Sequence, residues 1–378
     1  MSSSTGVRMS DNVNRLVQKR IDSPFANHDI DFIPSCLQLT LHNNDSTELE
    51  SRFKFGQEIS RGGFGTVVHV TDKKPKTNQH HHQQLVMKIS KNSNSLVSAV
   101  DELSLYAFTL PVSHPNIMTI IEAFVDQSAN VYMLMKLADD NLSSAVQGGR
   151  IDAKFIVPIM RDLLLALSVI HGLSIMHLDV KPGNILVWYT QPDRNNCPLI
   201  KLADMGLARK YASYGQYNRN AVTPEVRAPE FLFGASEVNT KVDVWSAGCV
   251  MAFMFLDGRY PFKPQSDMNE YIFMMWDALG VPREVSEANG GTHVLYTTYL
   301  TRASDRRLRA VSHSLTVGSA TPLMYPAHPI IELCNNDDVT SQWPGAFLLG
   351  SLLQQMSHDR ISAGDGSAYL SSMYSSTK

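Results

Sequence analysis

Ile175-Met176-His177-Leu178-Asp179-Val180-Lys181-Pro182-Gly183-Asn184-Ile185-Leu186-Val187 places an aspartate, a lysine and an asparagine in one loop between a helical segment and an apolar β-type run. Asp179 offers a carboxylate that can accept a hydroxyl proton, and Lys181 a cation for a phosphoryl group in motion. Asn184 offers an amide oxygen for a hard cation such as Mg²⁺. A chance loop rarely holds all three. Downstream, Ile200-Lys201-Leu202-Ala203-Asp204-Met205-Gly206 is a strand ending in Asp-x-Gly, which sets a further carboxylate at a strand end. Turn chemistry alone favours Asp and Gly at such a place; the order of the parts is what argues for a site.

Upstream, Ile59-Ser60-Arg61-Gly62-Gly63-Phe64-Gly65-Thr66-Val67 lies between two strand-like runs. It reads as a hairpin with enough glycine to bring backbone amides onto phosphate oxygens. Glycine-rich hairpins are more often plain turns, and the following strand excludes the strand-to-helix context of a dinucleotide fold. Lys88 sits among apolar neighbours in Leu85-Val86-Met87-Lys88-Ile89, where an edge-strand lysine facing water is the simpler reading. Glu102, on the next helical segment, supplies a carboxylate that could hold the ammonium ready for a phosphate.

Composition excludes several other classes. The 378 residues are 18% charged and 43% hydrophobic, with a formal net charge of -3 and a pI near 6.5. That is globular composition, with no broad basic field to draw in nucleic acid or anionic lipid. Cys36, Cys197, Cys249 and Cys334 form no CxxC pair, so neither a zinc site nor a disulfide framework is indicated. No stretch approaches the roughly 18 apolar residues of a membrane span. An intracellular, soluble chain is expected, cytoplasmic or nuclear.

Residues 1–52, rich in Ser, Asn and Asp, read as a flexible arm that docks locally. From Phe53 the pattern turns to β-type runs at 53–59, 67–70 and 85–89, with further strands near 117–124 and 131–135. Residues 95–110 have helical period, with Asn94 or Ser95 as N-cap. Residues 152–171 carry a strong apolar face with Pro158 as a local flaw, and most of the rest is helical. The fold class is α+β: a β-rich lobe over 53–137, a helical lobe over 138–370 and a tail from 371.

With these motifs in order, the chain resembles the eukaryotic-type protein kinases over roughly 53–369. Arg227-Ala228-Pro229-Glu230 resembles their APE element, Asp243-Val244-Trp245-Ser246-Ala247-Gly248 the helix that anchors the large lobe, and Arg360 the late arginine that pairs with the APE glutamate. The resemblance implies ATP and Mg²⁺ as cofactors. It implies that the glycine loop 59–67 covers the nucleotide, that Val67, Val86 and Leu186 sandwich the base, and that Met135 is the gatekeeper. Lys136 to Ala138 become the hinge that meets adenine, Asn184 and Asp204 the metal ligands, and Asp179 the base, with Lys181, Lys88 and Glu102 as catalytic partners. Segments 97–105, 227–234 and 272–285 are similar to the cyclin-dependent and mitogen-activated group. The insert 282–343 has its own sequence, so substrates cannot be carried over. Lys181 and Thr223 imply serine/threonine specificity on protein substrates; a regulatory protein partner is allowed for, and no nucleic acid or membrane.

Departures from the pattern have consequences. Ser60 replaces the first loop glycine, Val86 the usual alanine, and Met205 the usual phenylalanine, where it would fill the gap between His177 and Tyr106. Leu178 replaces an arginine that receives an activation-loop phosphate, and it carries no donor. Two other readings compete: a binding module of the same fold without activity, and a small-molecule kinase. Retention of Lys88, Asp179, Asn184 and Asp204 argues against the first, and residues 223–230, a peptide platform, against the second. His80-His81-His82 reads as a solvated connection, and Cys249 as core.

Overall fold

The β-type runs after Phe53 do pair into a sheet, and its pleat decides which side chains can reach a ligand. The computed structural model describes residues 39–41, 46–63, 65–74, 84–90, 102–103, 105–106, 114–126, 130–190, 196–210, 222–233, 238–279, 349, 351–354 and 359–375. Strands β1 (Leu39–Leu41), β2 (Phe53–Gly62), β3 (Gly65–Asp72), β4 (Leu85–Ser90), β5 (Glu122–Val125) and β6 (Val131–Lys136) form one six-stranded sheet in the order β1-β5-β6-β4-β3-β2. In register, Val67 faces Lys88, which faces Met133; His69 faces Val86, which faces Met135. Strand β4 is buried along its whole length. Met87 and Ile89 join Phe53, Val70, Leu85, Phe124 and Leu134 in one apolar cluster, each side chain contributing about 1.5–3 kcal/mol on burial. Because alternate residues point to opposite faces, Val86 and Lys88 are turned to the other side.

The reading of 1–52 as a flexible arm needs correcting at its C-terminal end. β1 pairs parallel with β5, Leu39 opposite Ala123, so it occupies a sheet edge that would otherwise present unpaired backbone. Helix α1 (Ser46–Arg52) buries Leu49 in the apolar cluster. Its last residue, Arg52, forks between Asp72 and Glu122, each at 2.7 Å, and lies over the Phe53 ring at 4.7 Å. These are long-range pairings that local composition does not reveal. The strand expected near 117–124 is also displaced. Ile117 bridges Leu202 instead, with Met118 N–H donating to Leu202 O at 2.8 Å, and only Glu122–Val125 joins the sheet. Of the helix expected over 95–110, only residues 102–103 and 105–106 are described, and they are helical; the Asn94 or Ser95 cap lies outside the described residues, as do His80-His81-His82 and the insert 282–343.

The described residues group into two compact units. The first takes the chain up to Ser144 together with His177–Asp179 and Gly183–Lys210. Beside the sheet it holds a ribbon in which β9 (Ile185–Trp188) pairs with β7 (Asp140–Asn141) and with β10 (Leu199–Leu202); β8 (Ile175–Met176), between β7 and β9 in the chain, falls in the second unit. The second unit is mainly helical. After α2 (Leu142–Gln147), which spans the change of unit, come α3 (Ile156–Gly172), α4 (Pro229–Leu232), α5 (Lys241–Phe255), α6 (Met268–Leu279) and α7 (Ala363–Ser375). A 3-10 turn, Ala153–Phe155, precedes α3, and Asp152 accepts from the Lys154 N–H at 3.0 Å. Pro158 therefore falls in the first turn of α3, where its missing N–H removes no intrahelical bond; it is not a flaw. Helix α7 runs to Ser375, so the tail drawn from 371 starts inside a helix.

Helix α5 is buried on almost every side. A Cβ on Gly248 would come within 2.8 Å of Leu353, so that glycine permits close packing. Cys249 is fully buried, and desolvation pushes its thiol upward, which makes it core as expected.

Candidate functional site

Lys88 projects from the pocket face of β4 and meets two carboxylates. Its Nζ donates to Glu102 at 2.7 and 2.8 Å and to Asp204 at 2.8 Å. Glu102 was expected as partner; Asp204 lies 116 positions away in sequence. The Lys88 and Glu102 side chains are 10% and 2% exposed, whereas Asp204 is 30% exposed. Desolvation works to lower the Lys88 ammonium, but the paired carboxylates outweigh it and hold the group charged. For Glu102, burial dominates the pull of Lys88 and pushes the carboxyl up to about 7. Asp204 feels burial too, yet Lys88 and a backbone N–H hold it below its usual value. One ammonium faces two carboxylates, so the better solvated Asp204 ionises first and the enclosed Glu102 keeps its proton longer.

The residues of the loop 177–184 hold one another through backbone and side-chain bonds. The Asn184 Nδ2 donates to Asp179 O at 2.9 Å and to Asp179 Oδ2 at 2.8 Å. The Asp179 N–H donates to His177 Nδ1 at 3.3 Å, while His177 Nε2 lies 3.1 Å from Ala203 O. A neutral imidazole with its proton on Nε2 satisfies both contacts. Asp204 has φ 67°, a left-handed conformation that Asp tolerates because its side chain bonds locally, here accepting from the Gly206 N–H. Its own N–H donates to the Tyr106 hydroxyl at 2.9 Å, and Met205 beside it is fully buried.

Lys88, Glu102, Tyr106, Asn184 and Asp204 border a cavity of about 540 Å³, and Asp179 is not among its lining residues; the volume is within the range of small-molecule sites. Ile59, Ser60, Val67, Val86, Met135, Lys136, Ala138 and Leu186 line it, with Lys88, Glu102, Asn184 and Asp204. Of the expected glycine loop, Arg61, Gly62, Gly63, Gly65 and Thr66 are not among the lining residues, and Phe64 lies outside the described residues. Arg61 is instead exposed and paired with Glu58 at 2.6 Å. Gly65 is required by the backbone: at φ +134°, a Cβ would sit 2.4 Å from Ile89 O. Among the described residues, a Cβ on Gly62 or Gly63 would meet nothing within 4 Å, so these residues do not themselves demand glycine there.

The donor set fits Mg²⁺ shared with phosphate oxygens. Among the described residues no three His, Cys, Asp or Glu side chains converge on a metal position, whereas Mg²⁺ ordinarily takes one or two carboxylates together with substrate phosphates and water. Asp204 supplies a carboxylate. Asn184 points its amide nitrogen at Asp179, which leaves the oxygen as the end for a cation.

Lys181 belongs to the second unit, where its Nζ donates to Thr223 Oγ1 at 3.0 Å. Thr223 opens the 3-10 turn Pro224–Val226, which is pinned by Tyr271 O–H donating to Pro224 O at 2.6 Å and Ser246 O–H donating to Val226 O at 2.8 Å. The expected pair of Arg360 with Glu230 is present and bidentate, at 2.9 and 3.1 Å.

Cavity-lining residues that the sequence reading did not assign to the ligand are His69, Tyr106, Met118, Asp139 to Asn141, Gly183 and Ala203. His69 had a signal, since it shares the pleat face of Val67 two residues earlier. Met118 had none, because its position follows from the bridge to β10.

Residues 53–365 match the family model described as protein kinase domain. Mitogen-activated protein kinase mpkC of Aspergillus oryzae is 30% identical over 268 residues, covering 70% of this chain and 73% of its own. Cyclin-dependent kinase 7 of Dictyostelium discoideum is 34% identical over 176 residues, 46% of each chain. In structure, the chain is similar in fold to one titled as the yeast RNA Pol II CTD kinase CTDK-1 complex, with TM-score 0.58 and 23% identity over 80% of this chain and 87% of that one. Among the described residues no helix is long and apolar enough to cross a membrane. The chain belongs to the protein kinase family, within the serine/threonine kinases that include the mitogen-activated and cyclin-dependent enzymes.

Proposed function

We propose that phosphoryl transfer from ATP to a serine or threonine hydroxyl is carried out by Asp179, Lys181, Lys88 and Glu102, with Asn184 and Asp204 as the ligands for Mg²⁺. The observation that carries this reading is one cavity lined both by an apolar clamp and by Lys88, Asp204 and Asn184. Val67, Val86 and Leu186 provide flat apolar contact for a base, and the backbone of Lys136 to Ala138 provides donors and acceptors for its edge. Lys88, held charged by Glu102, neutralises phosphate oxygens. Mg²⁺, when bound, disperses the negative charge of the phosphate groups. Asp179 takes the proton of the attacking hydroxyl as the new O–P bond forms and the bond to the departing diphosphate oxygen breaks. Lys181 stabilises the transferred group, and its bond to Thr223 links that function to the peptide platform.

The test is Asp179→Asn, whose amide accepts no proton. Transfer of radiolabelled phosphate to a protein substrate should fall by about 10²–10⁴ while ATP binding persists. Activity within tenfold of wild type would remove Asp179 from the role of base. The reading extends to an intracellular setting and a regulatory protein partner, as the solved relative is itself a complex. If the enzyme recovered from its own cells were monomeric and fully active, the partner would be unnecessary.

A further inference from the structure

The hinge is held from outside the cavity by a side chain that the kinase motifs do not include. Leu137, the central hinge residue, uses both of its backbone groups within the protein. Its N–H donates to Gln84 O at 2.9 Å, and its carbonyl accepts from Trp188 Nε1–H at 2.9 Å. Next to it, Asp139 N–H donates to Val187 O at 3.0 Å, and Asp139 Oδ2 accepts from Tyr189 N–H at 2.8 Å. Trp188 ends β9, so the strand that carries Leu186 and follows Asn184 also anchors the hinge.

A peptide unit is planar and trans, so its C=O and N–H point in opposite directions. With Leu137 C=O turned to the indole, the N–H of Ala138, in the same peptide unit, must point away from it. Leu137 and Ala138 both line the cavity. Indole is a donor only; the bond can form with the carbonyl facing it and cannot form with that peptide reversed.

We infer that Trp188 is a positioning residue for nucleotide recognition: its indole N–H fixes the Leu137–Ala138 peptide so that Ala138 presents a donor to the purine edge. This rests on the reading of the cavity as the ATP site. The ligand class follows from the chemistry. Adenine offers an unprotonated ring nitrogen, N1, where guanine carries N1–H, so a fixed N–H donor favours adenine. Without the indole bond, the peptide can turn its carbonyl inward, which suits guanine instead.

The experiment replaces Trp188 with 3-benzothienylalanine, which keeps the bicyclic shape and exchanges N–H for sulfur, and compares it with wild type. Three quantities are read on the full chain: nucleotide binding by calorimetry, kinetics with ATP and GTP, and melting without nucleotide. The expected result is a KM for ATP raised about threefold to tenfold, as for one lost hydrogen bond. Alongside it, kcat should stay within twofold, the ATP over GTP preference in kcat/KM should fall by a similar factor, and nucleotide-free melting should fall only by as much as one lost hydrogen bond allows. An unchanged KM and preference would overturn the inference. So would a loss of kcat with a lowered melting point and an unchanged preference, since that marks a purely structural bond. Failure of wild type to bind ATP would instead overturn the site reading, so the two failures are distinguishable.

Discussion

Lys88 and Arg360 are both buried cations holding carboxylates, and the contrast between them separates chemistry from architecture. Arg360, whose side chain is fully enclosed, meets Glu230 in a bidentate pair. Further N–H groups donate to Gln354 O at 2.9 Å and Lys241 O at 2.6 Å, and the guanidinium lies over Trp245. Charges balance one to one and the planar fork is filled. Lys88 has one charge against two carboxylates, and one of these, Asp204, is partly open to the cavity. A balanced, saturated pair has nothing left to offer a ligand. An unbalanced one that borders a cavity is set to accept further charge.

Breaking the balanced pair should have the largest effect. Arg360→Leu leaves the largely enclosed Glu230, 12% exposed, uncompensated, which costs up to about 3–5 kcal/mol of stability, measurable as a lower denaturant midpoint. A shift below about 1 kcal/mol would mean that water reaches Glu230 and that the pair is not the anchor it resembles. Lys88→Met should do the reverse. We expect phosphoryl transfer to fall at least tenfold, ~1.4 kcal/mol in barrier terms, while the fold is retained because Glu102 can take a proton. Retention of more than about a tenth of the activity would make Lys88 a structural lysine like Arg360.

The two cations also differ in how legible they were. The motif Arg-Ala-Pro-Glu and a late arginine suggest the Glu230–Arg360 pair only through family resemblance, as no local rule joins residues 130 positions apart. Lys88 and Glu102 could be paired from a strand lysine followed by a helix carboxylate. The second carboxylate could not, because it depends on the left-handed turn at Asp204. Strands β2 to β4 and helix α3 were readable from period and punctuation. The docking of β1 on β5, the bridge of Ile117 to Leu202 and the Trp188 bond to the hinge were not, since each joins backbone groups from distant segments whose local sequence is unremarkable.

A pH series sharpens the contrast by a smaller margin. Burial raises the Glu102 carboxyl from 4.5 in the unfolded chain to about 7, so the folded state binds this proton more tightly. The stability this contributes is complete below about pH 4.5 and is lost as pH rises through about 7. The ion pair with Lys88 follows the opposite course, since it needs the carboxylate. Activity should therefore fall severalfold as pH drops through about 7, and Glu102→Gln should be uniformly weak without that acid limb. An acid limb that persists in Glu102→Gln would assign it to another group.

The smallest effect is expected from removing phosphate. Where an arginine precedes the catalytic aspartate, an unphosphorylated activation loop leaves crowded cations unneutralised, and the loop orders only when a phosphate pairs with them. Here the position is Leu178, buried at 7% exposure with φ 65°. Holding a leucine in that left-handed conformation costs about 1–2 kcal/mol, and the residue supplies no donor in return. Its apolar side chain is packed, so no desolvated cation waits there for a partner. Tyr211, Ser213, Tyr214 and Tyr217 remain as chemically possible acceptors and lie outside the described residues. Thr223 is a poor probe, because its hydroxyl already accepts from Lys181 and its loss would lower activity for that separate reason. Protein made in bacteria without other kinases, or treated with phosphatase, should keep its rate within about tenfold of the cell-derived form, ~1.4 kcal/mol. Single changes of Ser213 to Ala and of the three tyrosines to Phe should leave the dephosphorylated rate where it is. A loss beyond about a hundredfold on dephosphorylation, ~2.7 kcal/mol, would show that a phosphate is received after all. The receptor would then be sought at Arg209 or Lys210, the cations that follow the turn at Asp204, and their replacement should abolish the difference between the two forms.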